Sequence, residues 1–334
     1  MSAPGCPDCA AAEAAGDRFC EACGRELGVR RVALPYADPA VAPQCGVCGG
    51  KEYSAVGYCT GCGAARPVPD RFEADLGAVC VLTDRGISHA RNEDAVAAAV
   101  RDIDGTRVIV VSDGVSTSQD PQAASGTAAR SGVDAALAAL AAGANAHESV
   151  MAGLVAATAA VRGMSRSEHY APSCTYVSAI VRETAEGTEL TVANVGDSRG
   201  YWLGEPGSTG SQRLTVDDSW AQALVEAGAL EESAAMSDPR AHTLLRWLGA
   251  DGGERPWSDN CVRSVTVRGP GMLLLCSDGL WNYLPDAQAL AGFTVGAAPR
   301  SAAHALAEYA LRCGGSDNIT VALAPVPVAD PGVS

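Results

Sequence analysis

Unbroken apolar runs, each stopped by a small polar turn, set the pattern of this chain from residue 78 onward. Val108-Ile109-Val110-Val111 runs into Ser112-Asp113-Gly114. Leu190-Thr191-Val192-Ala193-Asn194-Val195 runs into Gly196-Asp197, and Met272-Leu273-Leu274-Leu275-Cys276 into Ser277-Asp278-Gly279. Asp317 does the reverse, standing just ahead of Ile319-Thr320-Val321-Ala322-Leu323. A continuous apolar run bounded by glycine reads as a buried strand. Strands are therefore expected at 78–83, 95–100, 107–112, 174–182, 188–195, 261–267, 271–276 and 318–325. Ala-rich stretches at 122–142 and 147–163, bounded by Pro121, Gly143 and Gly163, predict two long helices. Further helices are expected at 218–227, 240–248 and 300–313. Strands and helices each come in adjacent pairs without strict β-α-β alternation. That order predicts a layered fold of the α/β (α+β) class with antiparallel sheets.

An acid at the rim of several buried strands is costly unless something positive holds it there. Any one Asp-Gly pair is also ordinary turn chemistry. Four converging acids, Asp113, Asp197, Asp278 and Asp317, point instead to hard divalent cations held by oxygen ligands. Glu93 and Asp94, just ahead of the apolar stretch that begins at Ala95, add two more carboxylates.

The first 62 residues read differently. Eight of the thirteen cysteines lie there as four Cys-x-x-Cys pairs: Cys6/Cys9, Cys20/Cys23, Cys45/Cys48 and Cys59/Cys62. Ten residues separate the pairs within each half, and each second knuckle continues into glycine, Gly24 and Gly63. Two such knuckles make a tetrahedral thiolate site for zinc, and a small unit with little apolar content needs such a staple to fold. A disulfide framework is the rival reading. The start of the chain lacks the basic and apolar stretch of a secretory signal, and five further cysteines lie outside the repeat, which favours two structural Zn2+. Residues 1–63 are thus read as two zinc-ribbon modules, 64–77 as a linker, 78–326 as the main domain and 327–334 as a tail.

The chain has 334 residues, 47% of them hydrophobic, and a net charge of -15. With one lysine, Lys51, few basic residues near the knuckles and net negative charge, a nucleic-acid partner is not expected. No apolar run approaches the length of a membrane span, and a cytoplasmic protein is expected.

Five motifs occur in a fixed order: Arg91-Asn92-Glu93-Asp94, Ser112-Asp113-Gly114, Ala193-Asn194-Val195-Gly196-Asp197-Ser198-Arg199, Cys276-Ser277-Asp278-Gly279-Leu280 and Gly314-Gly315-Ser316-Asp317-Asn318-Ile319-Thr320-Val321. Over residues 78–326 this resembles the metal-dependent protein phosphatases (PPM, type 2C) of bacterial type. The resemblance implies a four-layer β-sandwich of antiparallel sheets flanked by helix pairs. It implies hydrolysis of phosphoserine and phosphothreonine by a water activated at two Mn2+ or Mg2+. By the same resemblance Asp113 bridges both ions and the Gly114 carbonyl helps hold one. Glu93 sits beside one ion, Asp278 and Asp317 complete the other, and Asp94 supports Glu93. Asp197, with Asp278, matches the place of a third, weaker metal in bacterial members. Phosphorylated proteins are the implied partners, with protein docking through the ribbons an added expectation.

Two departures stand out. The family commonly has an arginine four residues before the metal-site glutamate, where its planar fork grips phosphate. Here that residue is His89, with Arg85 and Arg91 as substitutes. Val115 stands where animal members carry a histidine proposed as general acid, so the leaving oxygen takes its proton from water, from His89, or from no protein donor at all. These departures keep open an alternative reading, a weak or inactive phosphatase fold that binds phosphoproteins as a scaffold. Residues 217–257 occupy the place of the family's flap, and an ordinary helix pair is the other reading of that segment.

Overall fold

In this computed structural model the described residues are 71–165 and 171–327, the N-terminal stretches 27–35, 47–50 and 58–64, and scattered positions that include Cys20 and Cys45. Two six-stranded antiparallel sheets form the main body. The strands, in chain order, are β1 (Val29–Leu34), β2 (Arg71–Asp75), β3 (Cys80–Asp84), β4 (Asp94–Arg101), β5 (Arg107–Asp113), β6 (Ser173–Cys174), β7 (Tyr176–Thr184), β8 (Gly187–Val195), β9 (Arg199–Gly204), β10 (Gln212–Arg213), β11 (Leu248–Gly249), β12 (Val262–Val267), β13 (Gly271–Cys276) and β14 (Ile319–Val326). The first sheet has the order β1-β4-β5-β7-β8-β12 and the second β10-β9-β13-β14-β3-β2. β6 and β11 form a separate short pair.

The unbroken apolar runs have a direct structural cause. In β4 every residue is buried. Ala95, Ala97 and Ala99 face the helix layer, whereas Val96, Ala98 and Val100 face the other sheet. A strand covered on both faces has no polar side to alternate with. The sheets meet through a core that includes Ile109, Val177, Trp202, Leu273 and Ala322. Outside the first sheet lie the long helices α1 (Pro121–Ala141) and α2 (Ala146–Met164). α2 starts at a capping box: the Asn145 side chain accepts from the Glu148 N–H at 2.9 Å, and the Glu148 carboxylate accepts from the Asn145 N–H at 3.0 Å. The other helices of the main body are α3 (Trp220–Glu226), α4 (Glu232–Ala235), α5 (Asp278–Trp281), α6 (Ala287–Ala291) and α7 (Pro299–Arg312). α7 covers the outer face of the second sheet through Ala302, Ala303, Leu306 and Ala310. The helix–sheet–sheet–helix layering is the expected one.

Three details differ from the sequence reading. Residues 240–248 do not form a helix, because their backbone groups pair across to the start of α3. Trp220 N–H donates to Thr243 O at 2.9 Å and Leu245 N–H to Asp218 O at 2.8 Å, so a turn through 239–242 leads into a stretch bridged to Ser219. β9 lies outside the expected strands: Arg199 and Gly200 interrupt its apolar run, and tertiary pairing with β13 makes it a strand. β1 and β2 were also not expected as parts of the sheets. Val29–Leu34 pairs with Val96–Arg101 at one sheet edge, and Arg71–Asp75 pairs with β3 at the edge of the other. Edge strands carry only partial burial, so their apolar signal is weak.

The cysteine region supplies one complete thiol cluster among the described residues. The sulfurs of Cys45, Cys48, Cys59 and Cys62 lie within 4.8 Å of one another, with Cys45–Cys62 and Cys48–Cys59 each at 3.5 Å. Four sulfurs ~2.3 Å from a tetrahedral zinc stand about 3.8 Å apart, so the cluster fits that ion. All four are free thiols rather than disulfides. Backbone hydrogen bonds build both knuckles alike: Gly49 N–H donates to Cys45 O at 2.7 Å and Gly63 N–H to Cys59 O at 2.8 Å. Gly24 N–H closes the same turn on Cys20 O at 2.7 Å. Of the two expected zinc modules, only this half brings four cysteines together among the described residues. The expected partners of Cys20, namely Cys6, Cys9 and Cys23, lie outside the described residues.

Candidate active site

Antiparallel pairing gathers the acids. β4 begins where its neighbour β5 ends, which sets Asp94 directly opposite Asp113. β13 ends beside the start of β14, with Cys276 opposite Val321, so Asp278 and Asp317 follow and precede that pair. β8 ends at Val195, two residues before Asp197. Carboxylates more than 200 positions apart in sequence therefore share one edge of the sandwich, with both sheets contributing.

Each backbone corner is fitted closely. A Cβ on Gly114 would stand 2.5 Å from Pro121 O and 2.8 Å from Glu93 O, and one on Gly279 would stand 2.0 Å from Asn318 O. The glycine after Asp113 and after Asp278 is thus set by the close approach of another backbone segment.

Burial and mutual repulsion dominate the electrostatics. Asp94 is fully buried; Ser277 Oγ and Thr320 Oγ1 each donate to its Oδ2 at 2.7 Å. Its Oδ1 has no hydrogen-bond partner, and neither does the buried Oδ1 of Asp278. Burial, then the charges of Asp94, Asp278, Asp317 and Asp197, push the Asp113 carboxyl well above the usual carboxylate range. Burial and then Asp317 push Asp278 up to about 7. Burial and then Asp278 raise Asp197 as well. Carboxyls that resist ionising in one another's company, two of them with orphaned oxygens, match the donor chemistry of oxygen-ligated dications. The residues present therefore fit such ions.

Around this cluster the sequence-derived candidates take definite partners. Glu93 is buried, with Arg91 Nε donating to Oε1 at 2.9 Å and Ser116 Oγ to Oε2 at 2.6 Å. His89 Nε2 lies 3.2 Å from Asp317 Oδ1, so it belongs to the cluster. Arg85 instead bonds the His89 carbonyl. Residues 85–93 form a turn rather than a strand. Val115 N–H donates to Ser173 O at 2.9 Å in the loop after Gly114.

Three further side chains at this edge lie outside the candidates that the sequence marks. Asn318 stands inside the Gly314–Val321 motif. It is buried; its Oδ1 accepts from Glu93 N–H at 2.6 Å, and its Nδ2 donates to Arg85 O at 2.7 Å and Arg91 O at 3.1 Å. Ser116 was read only as part of an altered loop. His242 was read as a border of the flap, yet its ring nitrogen approaches the carboxylates of Asp197 and Asp278 with all three ligand atoms within 4.8 Å. Burial and the charge of Arg199 lower the His242 pKa, which favours the neutral ring.

No protein-family model matches the chain. The serine/threonine protein phosphatase PstP of Mycobacterium tuberculosis is 32% identical over 252 residues, 73% of this chain and 44% of that protein. The crystal structure of the PPM Ser-Thr phosphatase MsPP from Mycobacterium smegmatis superposes with a TM-score of 0.59 at 27% identity, covering 75% of this chain and 99% of that one. The main body of this chain has the PPM fold and is similar in sequence to bacterial PPM-type phosphatases. The catalytic domain of PstP in complex with two manganese ions is similar at a TM-score of 0.55 and 26% identity, over 74% of this chain and 97% of that one. Among curated PPM relatives, the chain spans about half the length of those it matches, 44% of PstP and 55% of the Listeria innocua serine/threonine phosphatase stp. Among the described residues no helix is long and apolar enough to cross a membrane.

Proposed function

We propose that this chain hydrolyses phosphoserine and phosphothreonine in protein substrates at a centre of two Mn2+ or Mg2+. The observation that carries the reading is the edge where Asp113, Asp278 and Asp317 meet, each raising or sharing the charge burden of the others, with Asp278 Oδ1 orphaned. Asp113 and the Gly114 carbonyl, with Glu93 on one side and Asp278 and Asp317 on the other, would hold the ions. When bound, such a pair acidifies a water and neutralises charge on the phosphoryl oxygens.

The chain's own groups supply positioning. Glu93 is held from both sides by Arg91 and Ser116, and its backbone is pinned by Asn318, so its carboxylate has one orientation. Asp94, buried against Ser277 and Thr320, ties the first sheet to the second directly beneath the site. Arg91 is more than half exposed while bonding Glu93 through Nε, which leaves its outer nitrogens directed to solvent. Those donors, together with His89, would take the place of the family's phosphate-gripping arginine. The leaving oxygen takes its proton from His89 or water.

The thiol cluster holds one structural zinc through Cys45, Cys48, Cys59 and Cys62, and a second zinc would draw on Cys6, Cys9, Cys20 and Cys23. The ribbon region offers a surface for protein docking.

The test is hydrolysis of p-nitrophenyl phosphate and of a phosphothreonine peptide, with and without Mn2+, by the wild type and Asp278→Ala. Mn2+-dependent turnover lost in the variant supports the reading. A Mn2+-binding wild type without turnover on either substrate would overturn it in favour of phosphoprotein binding without catalysis.

A further inference from the structure

The turn of residues 85–93 carries both phosphate donors of the reading above, His89 and Arg91, and a side chain from ahead of the phosphatase-like region grips its root. Asp84, the last residue of β3, is buried. Its Oδ1 accepts from Gly86 N–H at 2.8 Å, which starts the turn, and its Oδ2 accepts from Arg71 Nε at 2.7 Å. Arg71 and Asp84 stand opposite each other where β2 pairs with β3. Arg71 Nη1 also donates to Glu308 Oε1 at 2.8 Å. Glu308 lies near the end of α7, which runs through Cys313 into Gly314-Gly315-Ser316-Asp317. One guanidinium thus spans the two elements that lead into the active-site loops, β3 into the 85–93 turn and α7 into the Asp317 loop. The loops meet beyond it: Ile87 N–H donates to Gly315 O at 2.7 Å, and His89 Nε2 lies 3.2 Å from Asp317 Oδ1.

We propose that Arg71 is a positioning residue for phosphate binding: through Asp84 and Glu308 it fixes the 85–93 turn against the Asp317 loop and so sets where His89 and Arg91 meet the phosphoryl group. This rests on the phosphatase reading above and deepens it. The planar fork presents Nε and Nη1 in fixed directions, so the two carboxylates it holds cannot shift independently, as they could around a flexible ammonium. The effect falls on the phosphate donors rather than on the metal side. The Asp317 loop keeps a tie of its own, Ser316 N–H to Tyr283 Oη at 3.0 Å, whereas the root of the turn depends on Asp84. A second clamp joins β2 to the opposite end of α7, where Arg300 and His304 bond Glu73, and it provides a comparison that is purely structural. Arg71 stands nine positions after Cys62 and ahead of residue 78. The N-terminal part of the chain thereby contributes a residue to the phosphate grip.

The experiment is steady-state hydrolysis of a phosphothreonine peptide by the full chain, zinc-replete and supplied with Mn2+. Inhibition by inorganic phosphate is measured alongside, with urea melts for stability. Arg71→Met keeps the aliphatic stem and removes the fork. It should raise KM and the inhibition constant of phosphate together by at least ~5-fold while kcat stays within ~2-fold. Arg71→Lys, which keeps the charge without the fork, should fall between it and the wild type. Asp84→Asn should raise the phosphate constant too, and adding Arg71→Met to it should raise that constant by less than ~2-fold more, because the pair acts as a unit. Glu73→Gln should lower stability and leave KM and the phosphate constant at wild-type values. Arg71→Met with lowered stability but unchanged KM and phosphate constant would overturn the positioning role and leave the phosphatase reading standing. A fall in kcat at an unchanged phosphate constant would do the same. A wild type without turnover would overturn the phosphatase reading and this role with it.

Discussion

Asn318→Ala removes a side chain that touches neither a proposed ion nor a substrate, yet three backbone groups of the 85–93 turn hang on it. The amide accepts from Glu93 N–H and donates to two carbonyls of the 85–93 turn. Each net hydrogen bond contributes about 1 kcal/mol, and a buried group left unpaired costs about 1–3 kcal/mol. Water can reach the two part-buried carbonyls, whereas Glu93 N–H faces a buried position. The expected loss of stability is therefore about 2–4 kcal/mol, read from urea melts of the zinc-replete protein at pH 7. Glu93 would also lose its backbone anchor, so kcat/KM on a phosphothreonine peptide should fall at least ~10-fold under conditions where the variant is folded. Asn318→Asp keeps the acceptor for Glu93 but loses both donations and adds charge next to Asp317. It should therefore recover less than half of the stability. A stability change under ~0.5 kcal/mol with unchanged kcat/KM would refute the positioning role.

The acids make metal-free stability depend on pH with a definite sign. Asp278 is raised from 3.8 to about 7 in the fold, so the native state holds a proton that the unfolded chain has already released. Stability is therefore highest near the unfolded value and falls as pH rises from about 4 through 7, by up to ~4 kcal/mol for this group at 1.36 kcal/mol per unit. Melts without Mn2+ at pH 5, 6, 7 and 8 should show the decline, and saturating Mn2+ should flatten it. Gly279→Ala places a methyl 2.0 Å from Asn318 O and should cost about 3 kcal/mol or more in urea melts. Cys48→Ser should lower bound zinc by one equivalent in elemental analysis; unchanged zinc content would remove the four-thiol site. In the wild type, two equivalents instead of one would assign a second ion to the first pair of knuckles.

What the sequence by itself determined follows from short-range physics. Strands buried on both faces must be apolar throughout, so β4, β5, β8, β13 and β14 stand out without any knowledge of their neighbours. An acid ending such a run cannot be left bare, which marks Asp113, Asp197, Asp278 and Asp317 before any partner is known. The paired knuckles likewise carry their own spacing, and the Cys45–Cys62 half closes as that spacing implies. Tertiary structure decided the rest, because the deciding contacts lie far apart in the chain. Edge strands such as β1 and β2 are half covered and carry little pattern. The segment 240–248 has helical periodicity but finds better backbone partners across the flap. Asn318 and Ser116 become positioning residues only once the 85–93 turn lies beside them. His242 meets Asp197 and Asp278 only because the fold brings residues 45 and 36 positions away to the same edge, where antiparallel pairing, rather than any local signal, sets who faces whom.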